Sequence, residues 1–242
     1  MDARLKRLLS FPVPPREPGD TDVFYRMLLM DALEKRGVGF HLPSEKGIRA
    51  IVVAAELASN GSSATILSLG SGQAFTEACL KVASPETVVI ATDPFLTHGT
   101  EEGTRHHPVE RLDAMAAIAK YATAKTCFLF VWPNYDDPWS GEALQRIVEI
   151  ATPFTHVVHV GDMQPGGFTG SALFHELLEE HFELVATAPR GKWPYGEDIV
   201  AVYKFKAPKA VLLAPIKYVI SGRPFSGPIA DYRRELDALV KP

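Results

Sequence analysis

The sequence predicts an α/β protein with a doubly wound, mostly parallel sheet closed by an antiparallel hairpin. Three observations predict it. Short apolar segments that end at glycine or aspartate alternate with helical patterns along the chain. Those segments are apolar on both sides, as strands covered by helices on both faces must be. The last two, FELVATAP (182–189) and EDIVAVYKF (197–205), are joined by the short link RGKWPYG, a hairpin signal.

The elements follow in order. Residues 1–20 are rich in proline and charge and read as an arm, and Thr21 to Lys35 reads as a helix stopped by Gly37. Ser44 caps the next helix. Ile48, Ile51, Val52 and Ala55 repeat at helical spacing, and Asn60-Gly61 supplies a left-handed stop. ATILSLG (64–70) is a strand, 73–83 a helix and TVVIATD (87–93) a second strand. PVERLDA (108–114) is either a third strand or the start of a helix, and periodicity does not decide. TCFLFVW (126–132) is a strand, GEALQRIVEIA (141–151) a helix, THVVHVGD (155–162) a strand and TGSALFHELLEEH (169–181) a helix. The closing hairpin follows. Residues 207–242 form a Pro/Gly-punctuated tail with one short helix near Asp231 to Val240. The organisation expected is an arm and helix (1–43), one α/β domain (44–205) and a basic tail (206–242).

Composition narrows the class. The chain has 242 residues, 46% of them hydrophobic and 22% charged, which fits one globular domain with extensions. No apolar run approaches the roughly 20 residues of a spanning helix, and the start lacks a signal-peptide core. Only two cysteines, Cys79 and Cys127, are present, both in apolar contexts. A disulfide framework and a cysteine-rich zinc site are excluded, and a reducing, cytoplasmic location is expected. The net charge of −4 is too weak to indicate a nucleic-acid binder. It is uneven: residues 204–242 hold eight Lys/Arg against three acids, leaving −9 for the rest. A solvated tail is the plainer reading of that run, and a contact to an anionic partner the sharper one.

Ligands of open α/β sheets bind at the carboxyl ends of the strands. The first strand ends Leu69-Gly70-Ser71-Gly72-Gln73. The glycines let backbone approach a ligand, and the next helix offers free N–H groups. The second strand ends at Asp93, 23 residues after Gly70, where an acid can accept from both hydroxyls of a ribose. Asp113 lies 20 residues further on. On the strand reading, which is favoured, it reaches the same cleft and binds an exocyclic amine; on the helix reading it is a solvated surface acid. A dinucleotide fingerprint would place a third glycine where Phe75 stands, which argues against a nicotinamide cofactor.

This layout resembles the class I, Rossmann-like methyltransferases that use S-adenosylmethionine. The residues that carry the resemblance are ILSLGSGQ, VVIATD, VERLDA, CFLFVWPNY and the closing hairpin, over roughly 44–205. HLPSEKGIRAIV, FLFVWPNY and HVGDMQPGGFTGSALFHELLEEHFELV are similar to a poorly described group with a Trp-Pro-Pro-Tyr fourth-strand motif. The resemblance implies that Gly70, Ser71 and Gly72 hold the methionine part of the cofactor, Asp93 the ribose and Asp113 the adenine amine. It also implies that His41 to Ser44 close over the cofactor. Ser68 stands where many members carry an acid. Trp132-Pro133-Asn134-Tyr135 lacks the polar first residue and the second proline of the adenine and glutamine N-methyltransferases. The segment 94–107 shows no clear helix.

The function expected is transfer of a methyl group to an unidentified acceptor, a small molecule being favoured. Nucleic acid or protein is a further possible acceptor, and an inactive scaffold of the same fold is the alternative from another class. Trp132 and Tyr135 line the acceptor pocket on this reading, or equally pack at the sheet edge. Asp136, Asp137 and His159 are candidate bases by position, but the preferred readings are a loop acid, a helix cap and a core histidine. His156 and His159 are three apart on a strand and cannot chelate one metal. There is no GxSxG elbow and no phosphate loop. Gly166-Gly167 reads as a flexible turn bordering the substrate.

Overall fold

The computed structural model describes residues 3–10, 32, 33, 38, 42–95, 105–163, 168–189, 199–206, 218–220 and 223–225. The first helix, α1 (Ala3–Leu9), is the first departure from expectation. Within the stretch read as an arm, residues 3–9 are helical, and Leu5 is buried in the core. The expected helices at 21–35 and 231–240 lie outside the described residues, apart from helical residues 32 and 33.

The second helix, α2 (Glu45–Ser59), starts and stops where the residues say it should. The Ser44 hydroxyl accepts from the Gly47 N–H at 2.9 Å, and Asn60 takes the left-handed conformation at φ 48°. The sheet elements then alternate with helices: β1 (Thr65–Leu69), α3 (Phe75–Ala83), β2 (Val88–Thr92), β3 (Val109–Glu110), α4 (Ala114–Tyr121), β4 (Thr126–Val131), α5 (Trp139–Ile150), β5 (His156–Gly161) and α6 (Ala172–His181). The hairpin is β6 (Phe182–Pro189) and β7 (Ile199–Phe205). In the tail, β8 (Tyr218–Ile220) and β9 (Arg223–Phe225) form a separate antiparallel pair that the tail's punctuation did not reveal.

The strand order is β3-β2-β1-β4-β5-β7-β6, with β1 to β5 parallel and β7 antiparallel to its neighbours. This is a Rossmann-like, doubly wound and mostly parallel sheet closed by an antiparallel hairpin, as the sequence predicts. Strand β1 is central, with β2 on one side and β4 on the other, so the tips of all three come together.

Side-chain alternation divides the core in two. Ile66, Leu129, Val158, Val200 and Val202 face α2 and α3, where Ile48, Ile51, Leu57 and Leu80 meet them. Leu67, Leu69, Phe128, Phe130 and Val157 face α4, α5 and α6. Fully burying each such side chain contributes roughly 1.5–3 kcal/mol. Ser68 lies on the same side of β1 as Ile66, so its hydroxyl points at α3 rather than into the second core.

The ambiguous segment 108–114 resolves as both of its readings. Ala91 and Thr92 pair with Val109 and Glu110, and the ladder stops there. Asp113 is exposed and caps α4, its Oδ1 accepting from the Ala116 N–H at 2.7 Å. The expected third strand is therefore two residues long. A three-residue step after it carries the chain straight into a helix.

Candidate functional site at the strand tips

The glycine turn follows β1 directly. Gly70 (φ 69°) and Gly72 (φ 52°) both take the left-handed backbone conformation that glycine adopts at little cost. Their surroundings differ. A Cβ on Gly70 would sit 3.0 Å from the ring of Trp139, which roofs the turn and stacks on Phe130. Among the described residues, a Cβ on Gly72 would meet nothing within 4 Å. Gly70 thus serves packing, and Gly72 leaves open space against bare backbone.

Asp93 closes on this turn from the tip of β2. Its Oδ2 accepts from the Gly72 N–H at 2.9 Å and its Oδ1 from the Phe95 N–H at 2.7 Å. The carboxylate is almost fully buried, at 4% exposure. The Ser71 N–H donates to the Thr92 carbonyl at 3.0 Å, and the Thr92 hydroxyl to the Ser68 carbonyl at 3.0 Å. The turn and the acid, 21 residues apart in the chain, form one bonded unit.

One acid in this region was not anticipated. Glu77, on the first turns of α3, is buried beneath the glycine turn at 1% exposure. The Ser68 hydroxyl donates to its Oε1 at 2.5 Å, and the Ser71 hydroxyl, close enough to act on the same carboxyl, donates to the Ser68 carbonyl at 3.3 Å. Burial pushes its carboxyl above the usual carboxylate range, against the pull of these hydroxyls, and Asp93 adds a smaller push in the same direction. The signal available in the sequence was the pairing of a strand serine with a helix acid nine residues on.

The other tips complete the edge. Trp132 sits just past β4 in a left-handed conformation (φ 52°), uncommon for a bulky residue, with its N–H on the Val160 carbonyl at 2.9 Å. Asn134 pairs with Thr169, and the Gly170 N–H donates to the Pro133 carbonyl at 2.7 Å. The turn after β4 is thereby tied to the segment entering α6. Tyr135 and Phe168 stand edge-to-face across this seam at 6.4 Å, both more than half exposed. Phe168 was not singled out, although it follows the Gly166-Gly167 pair; those two glycines lie outside the described residues.

Of the candidate bases, Asp136 is a loop acid and His159 a core ring, while Asp137 misses the cap position of α5, which Pro138 holds. Asp136 is exposed, and Asp137 accepts from the Trp139 N–H at the start of α5. His159 is wholly buried against Phe174, with Nε2 3.2 Å from the Thr169 hydroxyl, and burial drives its pKa down to about 3. It is a neutral core ring that steadies Thr169. Ser44 stands near the same edge: Gly47 packs on Val200, which pairs with Val160. His41 lies outside the described residues.

Two cavities open elsewhere. One of about 550 Å³ lies beside the glycine turn, between Arg4, Arg7 and Leu8 of α1 and Phe75 and His106. One of about 360 Å³ lies at the amino ends of β1 and β2, lined by Glu56, Ser59, Ser62 and Glu86. The second is remote from the strand tips.

No family model and no curated protein matches the chain. Among solved structures, the chain is similar to the N-methyltransferase NodS from Bradyrhizobium japonicum WM9 in complex with S-adenosylhomocysteine. The two share 15% identity over 84% of this chain and 96% of that one, with a TM-score of 0.43. It is also similar to the mitomycin 7-O-methyltransferase MmcR, at 16% identity over 65% of this chain and a TM-score of 0.43. There it spans 54% of that chain's length. Human N-acetylserotonin methyltransferase in complex with S-adenosylmethionine is similar at 12% identity and a TM-score of 0.41, over 77% of this chain and 57% of that one. No helix among the described residues is long and apolar enough to cross a membrane.

Proposed function

We propose that the chain is an S-adenosylmethionine-dependent methyltransferase acting on a small-molecule acceptor. The observation that carries this reading is the 2.9 Å bond between the Gly72 N–H and Asp93, which joins turn and acid at adjacent strand tips. The residues fit an adenosyl ligand. No described residue fills the space over Gly72. Asp93 spends one contact per oxygen on backbone, and a carboxylate has about four acceptor sites, so two remain for ribose hydroxyls. Asp113 Oδ1 is taken by the helix cap, and its other oxygen is left for the adenine amine. Gly70, Ser71 and Gly72 face the methionine part.

When bound, the cofactor supplies an activated methyl carbon, and the chain's work is to place an acceptor in line with it at about 3–3.5 Å and to exclude water. Trp132, Tyr135 and Phe168 offer aromatic faces for that purpose. The exposure of Tyr135 and Phe168 favours an acceptor with apolar or planar surface. The buried His159 is not a base on this reading, and any acceptor proton leaves by another group or by solvent.

The test is calorimetric titration of the intact protein with S-adenosylhomocysteine. Binding that is lost on Asp93→Ala supports the site, and no binding at millimolar ligand refutes it. Turnover is read separately, by transfer of a radiolabelled methyl group into extract fractions. Binding without any labelled product would instead favour a scaffold that keeps the pocket.

A further inference from the structure

Glu77 asks for an explanation that packing alone does not give. An acid on an amphipathic helix normally faces water, yet this one is 1% exposed. It is faced from β1 by Ser68, from the glycine turn by Ser71, from β2 by Asp93 and on its own helix by Cys79. Among the described residues no lysine, arginine or histidine pairs with it. No charge on α1 or α2 perturbs it. A buried carboxylate with no cation among the described residues is costly, and burial pushes this carboxyl above the usual carboxylate range, toward the neutral form.

On the function proposed above, on which this inference rests, the ligand carries an ammonium group beside Ser71. The carboxyl is bonded to the Ser68 hydroxyl, and the Ser71 hydroxyl reaches the Ser68 carbonyl at 3.3 Å.

We propose that Glu77 is the proton-linked counter-ion of the ligand's ammonium: as the cation settles over Ser71, the Glu77 O–H bond breaks, the proton leaves to solvent and the carboxylate remains as the opposing charge. Ser68 and Ser71 relay that charge, because both hydroxyls can donate to the ionised oxygens. Glu77 is a positioning residue on this view, since it acts through Ser71. It also accounts for Ser68. A hydroxyl there is the partner that an acid arriving from the facing helix requires, and a second carboxyl would repel it.

The measurement is the number of protons released on binding, obtained by titration calorimetry in buffers of different ionisation enthalpy across a pH series. S-Adenosylhomocysteine bound to the wild-type protein should release close to one proton at the maximum. Release should vanish at low pH, where free and bound protein both hold the proton, and at high pH, where neither does. 5′-Methylthioadenosine lacks the ammonium and should bind with no release at any pH. Glu77→Gln keeps the bond to Ser68 while removing the titration. It should abolish release, weaken S-adenosylhomocysteine binding about tenfold or more and leave 5′-methylthioadenosine binding unchanged. Equal proton release with the two ligands, or none with either, overturns the inference even if Glu77→Gln fails to fold. Failure of both ligands to bind wild-type protein overturns the proposed function itself, and this inference with it.

Discussion

Replacing Asp93 with Asn tests the site at its joint. The side chain is nearly isosteric and buried, so shape is preserved. Its carbonyl can accept from Gly72 or from Phe95, but the amide must then point its own N–H₂ at the other N–H. One of the two observed bonds, at 2.9 and 2.7 Å, is lost and a buried donor is left unmet. Hydrogen bonds to charged groups contribute about 1.5–3 kcal/mol each, so stability should fall by about that much. The ribose contact weakens for the same reason. Loss of one charge-assisted bond there corresponds to roughly a tenfold to hundredfold rise in Kd. Urea denaturation followed by calorimetric titration with S-adenosylhomocysteine on protein verified as folded separates the two effects. If the denaturation midpoint drops while the Kd stays within about twofold of wild type, Asp93 only braces its own loop, and the cofactor reading of this residue is wrong.

Gly70→Ala and Gly72→Ala should part company. Both pay the left-handed penalty of about 1–2 kcal/mol, but only Gly70→Ala also meets Trp139, so its denaturation midpoint should fall further. Gly72→Ala should be the milder in stability and the worse in ligand affinity; the opposite ranking would refute the packing assignment. At position 113, Asn caps a helix about as well as Asp, whereas Ala costs about 1 kcal/mol. Asp113→Asn should therefore leave thermal stability unchanged and still weaken S-adenosylhomocysteine binding, and unaltered affinity would mark Asp113 as a cap alone. Acid should weaken the fold through His159. Its ring is held neutral down to about pH 3, while in the unfolded chain it takes a proton below about 6.5. Stability is thus lost as pH falls through that window, by about 2 kcal/mol per such ring at pH ~5. His159→Leu should flatten the change in urea midpoint between pH ~7 and ~5, and identical slopes would refute the burial argument.

The strand tips were legible because each ends a two-sided apolar run at a residue such a run cannot contain. Leu69 gives way to Gly70, and Thr92 to Asp93. Parallel pairing then brings those ends together without further information. The α2 helix was legible for a local reason, its cap and its stop lying within the segment itself. What was hidden depended on contacts across elements. Glu77 looks like a surface acid until β1 presents Ser68 to it. Trp139 looks like a residue before the helix expected at 141, yet its ring is what holds Gly70. The segment before Asp113 stayed ambiguous because two ladder pairs are too few to show as a period in the sequence, and the capping signal overlaps the end of the strand.

The two acids at the glycine turn stand in different relations to any ligand. Asp93 is committed before a ligand arrives, since it already binds the turn that would receive one. Its loop is ordered in advance, and that ordering is entropy a ligand does not have to supply. Glu77 is balanced in charge: burial and Asp93 push its carboxyl up, while Ser68, its own backbone N–H and Ser71 pull the other way, and no cation among the described residues adds to that pull. A site built this way divides its work between a carboxylate that fixes shape and a carboxyl that answers a cation. The consequences of removing them should differ in kind. Loss of Asp93 should disturb the free protein and the complex together, so its effects on stability and affinity are coupled. Loss of the Glu77 charge, with its bond to Ser68 kept as an amide, should leave the free fold in place and appear only when an ammonium is offered.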